Sequence, residues 1–221
     1  MAAARVLAVN VVHALVPDVR GDLHQTAIDK RPVAGRVPVR AAGFGDVGVQ
    51  GDQVVDTRHH GGPDQAVYAY AVEDLRWWAA ELGRELAPGT FGENLTTEGL
   101  DVTGAVIGER WRVGSGGLEL EVTAPRIPCS TFQGWMDEPQ WVKRFTAHGA
   151  PGAYLRVVAD GDVGAGDGVE VGHRPGHGMT VGSLSHLRQA PEEGLRGMLE
   201  MPGLHADLAE AVRRDLAARA R

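Results

Sequence analysis

The sequence has little cysteine, no long apolar run and no excess of positive charge, and each shortage excludes a class of protein. Its 221 residues include one cysteine, which excludes a framework of disulfides within the chain. No stretch approaches the roughly 18 consecutive apolar residues of a membrane span. The apolar start of the chain is interrupted by Asn10 and His13, too early for a signal peptide. We therefore expect a cytoplasmic protein without a membrane span.

Positive charge is outnumbered along the chain. The 22 Lys and Arg residues face 29 Asp and Glu residues, which gives a formal net charge of −7. Nucleic acids and anionic membranes bind broad basic surfaces, so we expect neither as a partner. An anionic ligand would have to meet local positive charge.

Glycine, in contrast, is abundant at 31 of 221 residues, about twice the usual ~7%. The glycines separate short apolar stretches, and residues 118–122 alternate between apolar and charged side chains, which is typical of a strand with one buried face. The stretches predict strands at residues 5–13, 36–42, 66–70, 109–113, 118–123, 154–158 and 168–171. Many short strands with glycine-rich connections predict a mostly β fold, either a barrel or a strongly bent sheet.

Two helices and a helical tail complete the predicted fold. Apolar side chains at helical spacing predict a helix at residues 72–82, and Asp137 as cap with Pro139 in the first turn predicts another at 137–145. Residues 173–178 are rich in Gly, Pro and His and indicate a boundary. Beyond it, residues 182–189, 192–200 and 204–219 are predicted to be helical. We therefore expect a β-barrel domain at residues 1–172 and a helical C-terminal tail at 173–221.

The single cysteine, Cys129, ends residues 125–129 with the sequence PRIPC. Pro125 and Pro128 restrict the backbone on both sides, so the thiol should lie on a stiff loop. Arg126 favours the thiolate, which is the form that binds soft or borderline metals. A packed, inert thiol is the alternative explanation.

A second candidate is the segment at residues 58–64 with the sequence RHHGGPD. The adjacent His59 and His60 of an extended segment point to opposite sides, which weakens a zinc site. The following glycines allow backbone N–H groups to face an anion, with Arg58 or a protonated histidine as the charge partner. A solvated surface turn explains the segment equally well.

Two further segments carry polar groups that suit a ligand. Glu93 and Asn94 lie side by side on a glycine-hinged loop and can bind the donor and acceptor edges of a heterocycle. Lys30 belongs to residues 26–32, where two cations lie near a hydroxyl donor and suit a phosphate. Simple turns and solvated surface charge are the alternatives, and Asp52 is predicted to be a turn residue.

Taken in order, these segments resemble the MOSC family, which is named for the C-terminal domain of molybdenum cofactor sulfurase. The resemblance runs from about residue 25 to residue 171. Its motifs are residues 26–30 (TAIDK), 51–52 (GD), 60–64 (HGGPD) with Ala66, Val67 and Tyr70, 91–95 (FGENL) with Gly99 and Leu100, and the prolines, Arg126 and Cys129 of residues 125–129. Several motifs in a fixed order make the resemblance specific. It implies a barrel-like domain whose motif cysteine binds the molybdenum of a pterin cofactor.

The resemblance also implies roles for individual residues. Cys129 would be the molybdenum ligand, and His60, Asn94 and Arg126 fall on motif positions expected to line the cofactor pocket. We add Lys30, Arg58 and Gly61 as candidates for binding the cofactor, because its phosphate requires cations and backbone N–H donors. The candidate catalytic residues are Cys129, His60 and Glu93, with His60 or Glu93 delivering the proton when an N–O bond is cleaved.

The sequence looks most similar to stand-alone bacterial members of the family, some of which reduce N-hydroxylated bases such as 6-hydroxylaminopurine. We therefore expect a molybdenum reductase of small N-hydroxylated substrates. Electrons would come from a separate reductase, because the sequence has no iron–sulfur cysteine cluster and no flavin or nicotinamide fingerprint. The tail resembles that of these reductases weakly, and residues 1–23 match no motif.

Two other functions stay open at this point. The chain could be a carrier or maturation module that holds the cofactor, or a persulfide on Cys129, without turnover. It could also be a cysteine hydrolase in which His60 or His148 activates Cys129. The residues leave the oligomeric state open.

Overall fold

Residues 3–220, the part of the chain that the computed structural model describes, combine strands and helices. The strands are β1 (Arg5–Pro17), β2 (Gln25–Pro32), β3 (Arg36–Val39), β4 (Val67–Ala71), β5 (Leu95–Glu98), β6 (Arg110–Val113), β7 (Leu118–Pro125), β8 (Ala153–Ala159), β9 (Gly161–Gly164) and β10 (Val169–His173). The α-helices are α1 (Val72–Leu82), α2 (Ser130–Met136), α3 (Trp141–His148), α4 (Val181–Ser185), α5 (Glu192–Leu199) and α6 (Ala206–Arg219). Short 3-10 turns occur at Pro63–Gln65 and Leu187–Gln189. No helix within residues 3–220 is long and apolar enough to cross a membrane.

Eight strands form one mixed sheet in the order β10-β6-β7-β8-β4-β5-β1-β2, and β3 pairs with β9 in a separate two-stranded sheet. Strands β4 and β5 are parallel, and α1 forms the connection between them. The long strand β1 pairs with β5 through its first half and with β2 through its second half. Shifts of register along β1 allow it to bend between the two partners.

The predicted closed barrel is not confirmed. The order of the large sheet has two ends, β10 and β2. The start of β10 contacts the start of β1, which lies next to the other end: the Val169 N–H donates to the Ala4 carbonyl at 2.9 Å and the Val6 N–H donates to the Asp167 carbonyl at 2.8 Å. These bonds accompany an isolated bridge between Arg5 and Gly168 and not a continuous ladder. The described fold is therefore a mixed sheet with helices.

The predicted strands are all present, with shifted ends, and the helix at residues 72–82 is confirmed as α1. Strands β2, β5 and β9 were not among the predicted strands. The predicted helix at residues 137–145 is confirmed only from Trp141 onward, and its predicted start is wrong. Asp137 has a left-handed conformation that ends α2, and α3 begins only at Trp141 after a left-handed Gln140. The last part of the predicted helix therefore belongs to α3, and α2, which lies before it, was not predicted.

The main hydrophobic core joins the sheet to the helical tail. Trp111 of β6 and Leu120 of β7 belong to the same apolar cluster as Leu195 of α5 and Val212 of α6. All four side chains are essentially inaccessible to solvent. The tail helices are present as predicted. The core continues across the predicted domain boundary between residues 172 and 173, and this boundary stays a prediction.

A second, aromatic cluster supports the loop that carries Cys129. Its buried rings are Tyr68, Tyr70, Trp78, Phe91, Phe132, Trp141 and Phe145. Phe132 of α2 packs edge to face against Phe91 and Phe145, with ring centroids 5.2 and 5.1 Å apart. Such packing holds α1, α2 and α3 together and gives the loop before α2 a rigid base.

Candidate functional site

A cavity of about 810 Å³ lies where the loops after β7 and before β5 meet β2. The predicted site residues that line it are Lys30, Arg58, His60, Gly61, Asn94, Arg126 and Cys129. The volume falls within the roughly 300–1,000 Å³ that is typical of small-molecule sites. The structure therefore brings together residues that are separated by up to about 100 positions in the sequence.

Cys129 lies at the wall of this cavity. The loop that carries Cys129 follows β7. A hydrogen bond from the Arg126 N–H to the Gly152 carbonyl, at 3.3 Å, holds this loop in place. Cys129 directly precedes α2, and its carbonyl accepts a hydrogen bond from the Gln133 N–H at 3.0 Å. The residue is half-buried and packs against the aromatic cluster. The inert-thiol alternative requires a thiol that is sealed in the core, and Cys129 does not meet this requirement.

Arg126 places a buried positive charge in the same wall. The residue is 6% exposed, and its guanidinium carbon lies 3.7 Å from the centroid of the Phe132 ring. Within the described residues, its Nη1 atom has no hydrogen-bond partner. Leaving such a buried donor unpaired costs about 1–3 kcal/mol. An anionic ligand in the cavity would supply the missing acceptor.

His60 is held by the two glycines that follow it. Gly61 has a φ of 80°, and a Cβ there would lie 2.6 Å from the Asp46 carbonyl oxygen, so this turn requires glycine. The His60 Nδ1 atom lies 3.3 Å from the Tyr154 hydroxyl. Burial, and next the charge of Arg126, lower the pKa of His60 to about 4. The ring is therefore neutral at pH 7, and a protonated His60 does not provide the charge partner for an anion.

Arg58 and His59 lie at the exposed rim. The His59 Nδ1 atom lies 2.9 Å from Asp56 Oδ2, and the Arg58 Nε atom lies 3.6 Å from Asp56 Oδ1. Both side chains are 68% exposed, so Arg58 can turn towards a ligand without breaking a buried contact. Within residues 3–220, no group of three or more His, Cys, Asp and Glu side chains is arranged to hold a metal ion.

Asp52 has a larger role than the predicted turn residue. Its Oδ2 atom accepts hydrogen bonds from Lys30 Nζ at 2.6 Å and from Asn94 Nδ2 at 2.7 Å, and Oδ1 accepts one from the Val12 N–H at 3.0 Å. Its side chain is 1% exposed. Asp52 therefore fixes two predicted cofactor-binding residues, and it already balances the charge of Lys30.

Asn94 and Glu93 are both engaged within the protein. Asn94 lines the cavity, and its Oδ1 atom accepts a hydrogen bond from the Tyr68 N–H at 3.1 Å. The fully buried Glu93 carboxylate accepts bonds from the backbone of Gly89 and Phe91 and from the Thr96 hydroxyl, at 2.6 to 3.0 Å. Glu93 is not among the lining residues. This geometry gives it a structural place in the loop and does not support the predicted proton delivery.

The sequence did not indicate some of the lining residues. Tyr154 lies on a predicted strand, and its contact with His60 depends on the pairing of distant elements. The tail contributes His205, Asp207, Leu208 and Ala211, for which no local motif gave a signal. His148, an alternative partner for Cys129, stacks on Trp77 with ring centroids 3.8 Å apart and is not among the lining residues.

Comparison with known proteins identifies the family of this chain. The family model described as MOSC domain matches residues 56–170, which is slightly more than half of the chain. This chain belongs to the MOSC domain family. The matched region contains His60, Asn94, Arg126 and Cys129, whereas Lys30 and the lining residues of the C-terminal tail lie outside it.

Three individual proteins extend the comparison beyond the MOSC domain. The chain is 32% identical to an uncharacterized protein of Bacillus subtilis, YflK, over 176 residues, which cover 80% of this chain and 76% of YflK. It is 30% identical over 171 residues to a protein of Gibberella moniliformis named Reductase, covering 74% of this chain but 30% of that protein. The crystal structure of YiiM from Geobacillus stearothermophilus superimposes with a TM-score of 0.76 at 26% identity, covering 96% of this chain and 99% of YiiM.

Proposed function

We propose that this MOSC protein binds a molybdenum-pterin cofactor through Cys129 and reduces small N-hydroxylated compounds. The observation that carries the proposal is the cavity in which the half-buried thiol of Cys129 lies in one wall with the guanidinium of Arg126, whose Nη1 atom has no partner among the described residues. Membership of the family and a relative that is named a reductase support it.

The residues present fit such a cofactor. A thiol suits a soft or borderline metal, and the unpaired Nη1 atom of Arg126 suits an anionic group. Arg58 at the rim provides a second cation, whereas Lys30 is already paired with Asp52. Cys129 would hold the metal, Arg126 and Arg58 would bind the phosphate, and Gly61 and Asn94 would shape the pocket. When bound, the cofactor would supply the two-electron chemistry that the amino acids themselves lack.

Proton supply would fall to His60. The Tyr154 hydroxyl lies beside Nδ1 of His60, which leaves Nε2 as the ring atom that can exchange a proton with the substrate. Burial raises the pKa of Tyr154, so its hydroxyl stays protonated. An anion bound nearby would raise the pKa of His60 from about 4, because the negative charge stabilises the imidazolium.

The overall reaction would consume two electrons and two protons for each N-hydroxylated molecule that is converted to an amine and water. We propose that the electrons come from a separate reductase protein. The cavity would receive the small N-hydroxylated substrate. The rim formed by Asp56, Arg58 and His59 lies at the entrance of the cavity.

Metal and pterin analysis of matched variants tests the proposal. Wild-type protein, purified from a host that makes the cofactor, should contain molybdenum and a fluorescent pterin. The Cys129→Ser variant should lose the metal, whereas Ser130→Ala, which changes the next residue lining the cavity, should retain it. Wild-type protein should also turn over 6-hydroxylaminopurine with an artificial electron donor.

Each other function predicts a different result. Stoichiometric transfer of the cofactor without turnover would favour a carrier. A metal-free protein that reacts with an acylating probe at Cys129 would favour a hydrolase. Retention of molybdenum by Cys129→Ser would contradict the proposed ligand.

A further inference from the structure

The C-terminal tail forms one wall of the cavity. His205, Asp207, Leu208 and Ala211, at the start of α6, line it together with the residues of the family motifs. The family model ends at residue 170, so this wall lies outside the matched region. One cavity therefore combines a wall that carries the family motifs with a wall that belongs to the tail.

The tail wall is held firmly in place. Val212 and Leu216 of α6 are buried in the main core. At the C-terminal end of the helix, the Arg219 side chain donates hydrogen bonds to the carbonyls of Leu187 and Ala190 at 2.6 and 2.7 Å. Because α6 is one continuous helix that is anchored through its middle and its C-terminal end, the residues of its first turns keep a defined position in the cavity.

One arginine of the sheet ties this wall to the motif loop. The Arg156 guanidinium donates to the Gly203 carbonyl just before α6. The same Nη2 atom lies 2.6 Å from Oδ1 of Asp64, which follows the glycines of the His60 loop and lines the cavity. Arg156 therefore links the segment just before α6 to the segment that follows His60.

The groups on α6 match the edge and the face of a flat ring. The His205 Nδ1 atom accepts the capping hydrogen bond from the Leu208 N–H at 3.4 Å, so the neutral ring has its proton on Nε2 and can donate it. Asp207 offers an exposed carboxylate acceptor. Leu208 and Ala211 are three residues apart and form a half-buried apolar face on the same side of the helix.

We propose that α6 is the substrate-selecting wall of the cavity and that it favours a planar nitrogen heterocycle. The ring packs on Leu208 and Ala211, while its polar edge meets His205 and Asp207. The reacting N-hydroxyl group then faces the Cys129 and Arg126 wall. The identity of the reaction rests on the proposed function, but the binding of the ring depends on α6.

A bulky residue in the wall tests this inference. Isothermal titration calorimetry on the protein as purified would use 6-hydroxylaminopurine as a two-ring probe and N-hydroxyurea as a small one. Ala211→Trp fills the space beside Leu208 and should raise the Kd of the purine by about tenfold, a change of ~1.4 kcal/mol, with the small probe changed by less than about twofold. Ala217→Trp is the matched control, because Ala217 is exposed on α6 and does not line the cavity.

A second variant tests the inference independently, in case Ala211→Trp does not fold. Leu208→Ala removes apolar contact without adding volume and should also weaken the purine selectively, by roughly fivefold to tenfold. Thermal unfolding of each variant shows whether it has folded. Equal weakening of both probes, no weakening of either, or no purine binding by the wild type would overturn the inference.

Turnover and molybdenum content, measured on the same samples, separate this inference from the proposed function. Selective loss of purine binding in a protein without molybdenum and without turnover would contradict the proposed function and support the role of α6. Full turnover of the purine by Ala211→Trp would overturn the role of α6 and leave the proposed function standing.

Discussion

Replacement of Arg126 by Met separates the cost of burying an unpaired cation from the benefit of binding an anion. Without a ligand, the variant loses the contact of the guanidinium with the Phe132 ring, and cation–π contacts contribute about 0.5–2 kcal/mol. It also removes a buried donor that lacks a partner among the described residues. Because keeping such a donor unpaired costs about 1–3 kcal/mol, its removal stabilises the fold. These effects oppose each other, so we expect the free energy of unfolding to fall by no more than about 1 kcal/mol or to rise by up to about 2.5 kcal/mol.

The affinity for inorganic phosphate should change much more than the free energy of unfolding. A hydrogen bond to a charged group contributes about 1.5–3 kcal/mol, so its loss should raise the Kd by about 10- to 150-fold. Phosphate at 100 times the wild-type Kd stabilises the fold by ~2.7 kcal/mol, which raises the Tm of a chain of this size by about 5–11 °C. At the same phosphate concentration, Arg126→Met should gain only about 1–5 °C.

Thermal unfolding followed by circular dichroism, with and without phosphate, measures both effects. Arg213→Met is the matched control, because Arg213 is an exposed arginine of α6 away from the cavity, and it should keep the wild-type response. A loss of several kcal/mol by Arg126→Met without phosphate would show that the guanidinium stabilises the fold. A full Tm response in that variant would refute the anion site.

Two other variants test single residues of the site. Since burial and Arg126 lower the pKa of His60 to about 4, the unfolded chain binds more protons at this residue, and stability should fall as the pH drops from about 6.5 to 4, by up to ~3 kcal/mol. His60→Gln should remove this part of the fall in urea unfolding at pH 7 and pH 4.5, and an unchanged pH dependence would contradict the buried neutral ring. Glu93→Gln replaces an acceptor of three hydrogen bonds and should cost about 1–3 kcal/mol of stability, while the kcat of the folded, metal-containing protein stays the same. A loss of kcat without a loss of stability would return Glu93 to a catalytic role.

The parts of the site that were predictable lie in short motifs with strong local constraints. The prolines around Arg126 and the glycines after His60 restrict the backbone through neighbouring residues alone, and their effect can be read without knowing the fold. The resemblance then grouped these motifs, and the cavity contains Arg126, His60 and Cys129 together.

The parts that were not predictable depend on contacts between distant residues. Asp52 looks like a turn residue, because its partners Lys30 and Asn94 are 22 and 42 positions away. The tail wall likewise depends on how α6 docks against the sheet. The break between α2 and α3 was missed because non-glycine residues, Asp137 and Gln140, adopt left-handed conformations there, which such residues rarely do.

The place of β1 in the sheet constrains the order in which the protein can fold as it is synthesised. Its first half needs β5 and the backbone of residues 164–169 as hydrogen-bond partners. A ribosome that adds about 5–20 residues per second completes those partners only about 8–32 s after β1. During this interval Val6 and Val9, which are fully buried in the finished protein, stay exposed on the nascent chain. We therefore expect folding to be largely post-translational, with the amino-terminal strand among the last segments to acquire all its neighbours.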